Sequence, residues 1–354
     1  MNKQEAIAIR LHNQQLIAPQ YHNPADIVAW MGAMQAQDYN FFRWAIGIRQ
    51  RAPKLDDIVQ SFASASLLRL HLLRCTVQVV APDDVHWLVA LCKERNLRAV
   101  QSWYNSTKTV FPQSYFKEAI IALKELLTGG KSLTKEDISV QLTHQQMLPE
   151  AHFINPLLLQ GEIEGILCSG AMNGKRATWA LLSERAPQGK ALTTDEALER
   201  LARKYFRSHS PASIADFAWY SGLPITQCRK AIEKIAPEIE EIVVEDEPMY
   251  LYRNAFPMEK ITQKMHLLPP YDEYLIGYKS RWISLEKKHE AKAHNNFGIF
   301  KSVILHEGRV VGNWKASIDG QGNNLSTELF TEKTKVKKTP LKEAVQQFLD
   351  FCKE

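Results

Sequence analysis

Apolar residues recur at helical spacing close to the start of the chain. Asn23 and Pro24 are typical of a helix cap and a first helical position. The apolar residues that follow at intervals of one, three and four are Ile27, Trp30, Met31 and Met34. Residues with that spacing lie on one side of a helix, so the pattern predicts a helix with a buried apolar face.

Two glutamines stand at the inner end of this stripe, in the sequence MQAQD. Gln35 lies four residues beyond Met31, so it continues the buried face if the helix goes on. Gln37 would then point the opposite way, whereas a helix that ends near Ala36 lets an extended chain turn both amides toward one cavity. A buried amide without a partner costs about 1–3 kcal/mol. The pair either ties the helix end to a loop or positions a water molecule, because glutamine is a poor proton acceptor.

A strand-like segment, LLRLHLLRCTVQVV at residues 67–80, alternates apolar and polar positions and changes phase near Leu72. A bulge or tight bend at that point places four polar side chains on one surface: Arg69, His71, Arg74 and Thr76. This surface is either a solvated sheet edge or, because two arginines flank a histidine, a phosphate-binding face.

The order helix, helix, hairpin occurs twice in the middle of the chain. Residues 131–190 contain a capped helix, a second helix and two short strands joined by Asn173-Gly174, a pair that favours a tight hairpin turn. Residues 191–255 repeat the order, with a helix that breaks at Gly222. This order is typical of a winged helix. Residues 1–130, with helices and short strands, are predicted to form a third such unit that also carries the two glutamines and the connecting helices.

Residues 256–354 change character and are predicted to form an α+β cap that is rich in strands. A hairpin turn is expected at Glu307-Gly308, and PLKEAVQQFLDFCK should end the chain as a helix. The polar segments YDEY and GYKSR either line a nucleotide-binding cleft or decorate a sheet. They contain two carboxylates that are candidate alternative bases, Asp272 and Glu273, and two candidate DNA contacts, Lys279 and Arg281. The predicted fold class is therefore α+β, mainly α.

Composition narrows the class of protein. The 354 residues are 45% hydrophobic and 23% charged, an ordinary globular balance, and the net charge of +5 permits a polyanionic partner without requiring one. The five cysteines are scattered without a CxxC pair, which favours reduced thiols. No apolar run approaches the ~20 residues of a membrane span, so we expect a cytoplasmic protein without a membrane partner. Common cofactor, metal and hydrolase motifs are missing, and we expect neither a cofactor nor a bound metal.

Four segments carry a resemblance to a known family: MGAMQAQDYNFFRWAIGIR, LLRLHLLRCTVQVVAPDDVHWL, SPASIADFAWYSGL and LLPPYDEYLIGYKSR. Together they resemble the winged-helix bacterial DNA glycosylases of the azinomycin-resistance type, the AlkZ-like proteins, over nearly the whole chain. The catalytic signature of that family is Gln-x-Gln, which Gln35 and Gln37 match, whereas a sister branch carries Gln-x-Asp. The sequence departs from the family at Val77 and Gln78, where the strand usually has an aromatic residue and a histidine.

The resemblance implies three tandem winged helices around a positively charged channel. It also implies a monofunctional glycosylase that removes cationic purines, alkylated at N7 or N3 and including cross-linked ones, from double-stranded DNA. Such a base departs without a general acid, so Gln35 and Gln37 would only have to aim a water at C1′ and stabilise the sugar. We expect a monomer in the bacterial cytoplasm, associated with the nucleoid, that acts in base excision repair. The alternative is a winged-helix transcription regulator in which the glutamines are structural.

Overall fold

A computed structural model describes residues 1–107, 113–147, 150–174, 176–253, 264–316, 325–331 and 338–353. The chain divides into two compact units. The first unit combines Met1–Ile58 with Leu198–Glu354, and the second is Val59–Ala197. The helices in chain order are α1 (Lys3–Asn13), α2 (Pro24–Met31), α3 (Phe42–Gly47), α4 (Leu55–Ala63), α5 (Pro82–Thr107), α6 (Gln113–Leu127), α7 (Lys135–His144), α8 (Ile154–Ile163), α9 (Leu182–Arg185), α10 (Thr194–His209), α11 (Ile214–Ser221), α12 (Ile225–Lys234), α13 (Glu273–Ile276), α14 (Glu290–Ala293) and α15 (Lys338–Lys353).

The strands are short and belong to small antiparallel sheets. In chain order they are β1 (Met34–Gln35), β2 (Leu68–His71), β3 (Val77–Val80), β4 (Leu133–Thr134), β5 (Leu167–Ser169), β6 (Thr178–Leu181), β7 (Ile239–Val244), β8 (Glu247–Tyr252), β9 (Met265–Leu268), β10 (Val303–His306), β11 (Arg309–Lys315) and β12 (Ser326–Leu329). Helical residues predominate among the described residues, so the predicted α+β, mainly α class is confirmed.

The first unit contains a four-stranded sheet of order β12-β11-β10-β9. The predicted turn joins β10 to β11, where Glu307 (φ 50°) and Gly308 (φ 76°) adopt left-handed backbone conformations. The C-terminal helix α15 is also present and packs against β9. The tryptophan Nε1 atoms of Trp44 and Trp314 donate to backbone oxygens of β9 over 2.7 Å, which fixes the aromatic core on the sheet.

Part of the strand prediction for the C-terminal cap is wrong. The segment HLLPPYDEYLIGYKSRW was expected to be strand, but only its beginning is extended, in β9, and Glu273–Ile276 form the short helix α13. The physical cause is local. Asp272 has an extended backbone and its side chain accepts a hydrogen bond from the backbone N–H of Tyr274, as a helix N-cap does.

Helices α10, α11 and α12 precede the β7-β8 hairpin in the first unit. The predicted break is present, because α11 ends at Ser221 and α12 begins at Ile225. Gly222 has a left-handed φ of 69° and its N–H donates to the carbonyl of Ala218, which is typical of a helix C-terminus. Ser213 and Asp216 form a capping box at the start of α11.

The second unit contains the β2-β3 hairpin and a three-stranded sheet of order β4-β6-β5. The predicted order helix, helix, hairpin is observed as α7, α8, β5 and β6. Thr134 and Asp137 form a capping box at the start of α7, and Gly174 has a left-handed φ of 57° in the turn before β6. The apolar core of this unit is formed by α5, α6, α7 and α8. None of the helices in the described part of the chain has the length and apolar character that a membrane crossing requires.

Candidate active site

The helix that leads to the two glutamines ends five residues earlier than the expected Ala36. Helix α2 ends at Met31, and the N–H of Gly32 donates to the carbonyl of Val28 over 2.9 Å. Gly32 has a left-handed φ of 87°, and a Cβ atom there would lie 3.0 Å from the Cβ of Lys204. Both facts favour glycine at this turn. Gln35 is therefore in the extended segment β1, which agrees with the alternative of an extended chain after the helix. Met34, which the apolar spacing placed on the helix, also lies in β1.

The two glutamines differ in exposure. Gln35 is 5% exposed, and its backbone N–H donates to Oε1 of Glu273 over 2.6 Å. Gln37 is exposed, although Ala36 between them is buried. A charge-assisted hydrogen bond of this length is among the stronger ones in proteins, so Glu273 fixes the backbone of the motif. The exposed Gln37 therefore lies two residues after a fixed backbone position.

Two acidic residues that the sequence marks as alternative bases lie at the start of α13 and are both buried. Asp272 forms a bidentate ion pair with Arg49, with N–O distances of 2.7 and 2.8 Å, and both side chains are almost fully buried. Glu273 is 2% exposed and accepts from the Gln35 amide. Asp272 would have to give up Arg49 before it could act as a base. Glu273 uses Oε1 to hold the Gln35 N–H and is sealed from solvent, so the geometry favours a positioning role for both carboxylates.

His209 adds a buried ring to this cluster. Its Nε2 lies 3.6 Å from Oε2 of Glu273, and neither atom has a hydrogen-bond partner among the described residues. Burial lowers the pKa of His209, and Glu273 opposes that effect only in part. Gly277 allows the close packing, because a Cβ atom there would lie 2.8 Å from Cδ2 of His209 and 2.6 Å from the Glu273 carbonyl oxygen.

The chain before the motif is held by side chains of α10 and α11. The Tyr220 hydroxyl donates to the carbonyl of Ala33 over 3.1 Å, and Nζ of Lys204 donates to the carbonyl of Ala29 over 2.8 Å. Their distance along the chain from position 35 hides these residues from sequence reasoning, as it hides His209. Of these residues, only Tyr220 lies in a segment that carries the family resemblance, SPASIADFAWYSGL.

The two basic candidates of the first unit differ in how they are held. Lys279 is exposed, and its backbone N–H donates to Asp216. Arg281 is half-buried, with Nε donating to the carbonyl of Leu275 over 2.9 Å and its guanidinium 4.7 Å from the ring centre of Phe300. Lys279 therefore presents an exposed charge, whereas the guanidinium of Arg281 is held by a backbone carbonyl and an aromatic ring.

In the second unit, the four residues that were expected to share a polar surface lie on the β2-β3 hairpin and its turn. Arg69 is in β2, whereas Arg74 and Thr76 lie in and after the turn, which confirms a tight bend near Leu72. Arg74 and Cys75 have φ values of 58° and 54°, a conformation that usually takes Asn-Gly in a two-residue hairpin turn. Such backbone strain at a non-glycine residue often accompanies function. Gln78, at one of the two positions that depart from the family pattern, donates to Oγ1 of Thr76 over 2.9 Å.

His71, the fourth member of that surface, turns toward a buried carboxylate. Its Nδ1 lies 2.5 Å from Oε2 of Glu162, and its backbone N–H donates to the same oxygen over 2.9 Å. The indole Nε1 of Trp179 donates to Oε1 of Glu162 over 2.6 Å. Burial raises the pKa of Glu162, but the charge and hydrogen bond of His71, with Arg69 and Trp179, lower it by more. Glu162 is missing from the sequence analysis, although Leu158 four residues earlier places it on the buried face of α8.

Comparison with known proteins shows the family to which the chain belongs. The family model "DNA glycosylase AlkZ-like" matches residues 28–351. A relative from Streptomyces sahachiroi, described as an interstrand DNA cross-link repair glycosylase, is 23% identical over 338 residues, covering 88% of this chain and 87% of the relative. The solved structure of Streptomyces sahachiroi DNA glycosylase AlkZ superposes with a TM-score of 0.80 at 20% identity, covering 99% of this chain and 97% of that one, which shows a shared fold. Since the family model spans most of its length, the chain belongs to the AlkZ-like family of DNA glycosylases.

Proposed function

We propose that the protein is a monofunctional glycosylase that hydrolyses the N-glycosidic bond of purines alkylated at N7 or N3 in double-stranded DNA. The proposal includes bulky and cross-linked adducts, since the name of the Streptomyces relative refers to interstrand cross-link repair. The observation that carries it is the Gln35-Ala36-Gln37 segment, in which Gln35 is extended and fixed by Glu273 and Gln37 is exposed. The three winged helices around a channel that the resemblance implies remain part of this proposal.

The chemistry suits amides because the leaving group is already cationic. An alkylated N7 or N3 carries positive charge, so the base departs neutral and needs no general acid. What remains is to stabilise an oxocarbenium-like sugar and to orient one water molecule, which fixed carbonyl dipoles can do. Gln37, which is exposed, is the better placed of the two to meet the substrate. Gln35 is buried and its backbone N–H is held by Glu273, so its side-chain carbonyl would help to orient the same water from a fixed position.

The activity test uses duplex DNA that contains N7-methylguanine and measures release of the free base. We expect Gln37→Ala to lower the single-turnover rate by about 10²-fold, the usual effect of removing one preorganised polar group, and Gln35→Ala to lower it as well. Gln60→Ala is a matched control, because Gln60 is an exposed glutamine on α4. Full base release by both motif variants would reject the proposal. A sequence-specific footprint on undamaged DNA without any base release would favour the transcription regulator instead.

The DNA contacts are proposed on charge and placement. Arg69, Arg74 and Thr76 lie on the β2-β3 hairpin, and Lys279 and Arg281 follow α13. His71 is held through Nδ1, so it would meet DNA through Nε2. Arg74→Gln should weaken binding to duplexes of any sequence and reduce the dependence of log Kd on log salt by about 1. Lys234→Gln on α12 is the control, since the proposal places no DNA contact there. We propose that the protein acts as a monomer at the bacterial nucleoid in the cytoplasm.

A further inference from the structure

The second unit contains a cavity of about 250 Å³ with an aromatic wall and a polar end. Trp103 and Tyr104 line it from α5 and Trp179 from β6, while His71 and Glu162 form the polar end. This volume is just below the usual range for ligand sites, which suits one fused ring system better than a drug-sized molecule. The bond-cleavage step proposed above does not use this cavity, although His71 at its polar end is also one of the proposed DNA contacts.

The polar end is ordered by the buried carboxylate. Glu162 is 5% exposed, and its two oxygens accept from His71 and from the Trp179 indole. Because Nδ1 of His71 is taken, Nε2 is the ring nitrogen that remains for a ligand. His71 is 25% exposed in its side chain, so that nitrogen can be reached. The pair Glu162–His71 therefore presents one oriented hydrogen-bonding group at the cavity.

Tyr104 supplies a second polar group that the described residues leave unsatisfied. The side chain is only 7% exposed, and its hydroxyl has no hydrogen-bond partner in the described part of the chain. Burial raises the pKa of Tyr104 to about 12, so the hydroxyl keeps its proton and can donate. A buried hydroxyl without a partner is unfavourable, and it requires an explanation when it lines a cavity. A ligand that accepts this hydrogen bond provides one.

The lining of the cavity includes a large, half-exposed aromatic side chain. Trp103 is 54% exposed, although it sits beside the buried Tyr104 at a ring-centroid distance of 5.3 Å. An exposed indole beside a cavity offers a face on which a planar ring can stack, and stacking of a base on an aromatic side chain stabilises binding. The lining thus combines an exposed indole face with the polar groups of Tyr104, His71 and Glu162.

We propose that this cavity binds a purine ring. The ring stacks on the aromatic wall, and its polar edge meets the Tyr104 hydroxyl and Nε2 of His71. A purine carries ring nitrogens that accept from the hydroxyl and a polar substituent that can pair with the histidine nitrogen. The purine comes either from an unstacked nucleotide of DNA or from a free nucleoside or base, and these sources share the same chemistry. The site is a binding site only, and it contributes no step to glycosidic bond cleavage.

The test uses 2-aminopurine, a fluorescent purine that is quenched when it stacks on an indole. The full-length protein is titrated with free 2-aminopurine deoxyriboside and, separately, with a single-stranded oligonucleotide that contains one 2-aminopurine among thymines. We expect quenching that deoxyguanosine, but not thymidine, reverses. Tyr104→Phe should raise the Kd about tenfold and Trp103→Ala should abolish the quenching. Tyr115→Phe is the matched control, since Tyr115 is exposed, belongs to the same unit and lies outside the cavity.

The two arms separate the sources of the purine. Quenching of the free deoxyriboside assigns the site to a free purine, whereas quenching of the oligonucleotide alone assigns it to a base within DNA. The proposal is overturned if neither probe is quenched, or if the quenching is the same in Tyr104→Phe, Trp103→Ala and Tyr115→Phe. The readout is binding, so a loss of base release in Gln37→Ala and a loss of quenching in Tyr104→Phe report on different sites.

Discussion

Each unit of the molecule holds a buried glutamate beside a histidine, and the two pairs differ in what completes them. In the first unit, Glu273 and His209 are 3.6 Å apart and both are sealed from solvent. In the second unit, Glu162 and His71 are 2.5 Å apart, and the histidine is a quarter exposed and lines a cavity. The sealed pair uses its carboxylate to hold the backbone of Gln35, whereas the open pair uses its carboxylate to orient a ring nitrogen.

This difference shows that a buried carboxylate does not by itself mark a catalytic base. What decides its role is which group it holds and whether that group reaches solvent. The Glu273–His209 pair should matter mainly for stability and for the position of Gln35. The Glu162–His71 pair should matter mainly for ligand binding. The following changes test that distinction, beginning with the largest expected effect.

The largest loss of stability is expected when the ion pair between Asp272 and Arg49 is broken. Asp272→Ala leaves the guanidinium of Arg49, which is 0% exposed, without its carboxylate. Removing one partner of a buried pair typically costs about 3–5 kcal/mol. We expect a loss of that size in the free energy of unfolding, measured by urea denaturation. The double variant Arg49→Met with Asp272→Leu should recover much of it, and Asp350→Ala, which breaks an exposed pair with Lys353, should change it little. A loss below about 1 kcal/mol for Asp272→Ala would mean that the cluster is not structural.

The second-largest expected effect is a pH dependence of the free energy of unfolding, and it comes from His266 in the first unit. Burial lowers the pKa of His266 from 6.5 to about 4, and the charges of Lys264 and Arg49 add to that shift. The unfolded chain therefore binds a proton that the folded chain does not between pH 6.5 and 4. The contribution of His266 to the free energy of unfolding is fully present above pH 6.5. It falls as the pH drops to 4, by about 3 kcal/mol in total. Buried His209 acts in the same direction.

The measurement is the free energy of unfolding of the protein and of His266→Gln from pH 7 to 4. The amide of glutamine does not titrate but can still donate toward the carbonyl of Leu16, which Nε2 of His266 contacts at 2.7 Å. We expect a flatter pH dependence in the variant. Equal slopes in the two proteins would remove His266 from the explanation of acid sensitivity.

Much of the local structure could be predicted from the sequence because its signals are local. The break at Gly222 and the turn at Glu307-Gly308 each depend on a few neighbouring residues, and each is observed. The end of α2 could not be predicted, because it depends on Gly32 packing against Lys204, a residue 172 positions away. Glycine at 32 was a weak signal by itself, since glycine also occurs within helices at some cost.

The candidate site shows the same limit. The Gln35 and Gln37 pair was visible as an amide motif, but the acceptor for the Gln35 N–H is Glu273, which lies 238 residues further along the chain. A single sequence gives no pairing information at that separation. Glu162 was more accessible to prediction, because it falls on the apolar face of α8, where an acidic residue requires a partner.

In the second unit, a moderate loss of stability is expected when Trp179 is replaced. Trp179→Phe removes the indole N–H that donates to Glu162 over 2.6 Å and leaves the ring packing largely in place. A hydrogen bond to a charged group contributes about 1.5–3 kcal/mol, so the free energy of unfolding should fall by that amount. Trp103→Phe, at a half-exposed position, should cost less than about 0.5 kcal/mol. Equal losses in the two variants would show that Glu162 does not depend on its indole donor.

The smallest change in the free energy of unfolding is expected for Tyr104→Phe. Its sign should differ from that of the matching change in the first unit. Tyr104→Phe removes a buried hydroxyl that has no partner among the described residues. An unsatisfied buried hydroxyl costs about 1–3 kcal/mol, so the variant should be as stable as the parent or more stable by about 1 kcal/mol in urea denaturation.

The Tyr278 hydroxyl of the first unit provides the contrast, because it accepts from Gln14 and donates to the carbonyl of His209 over 2.8 Å. Tyr278→Phe should therefore destabilise the protein by about 1–3 kcal/mol. A clear loss of stability in Tyr104→Phe would mean that the hydroxyl is satisfied in the free protein, and the case for a ligand in that cavity would lose its main support.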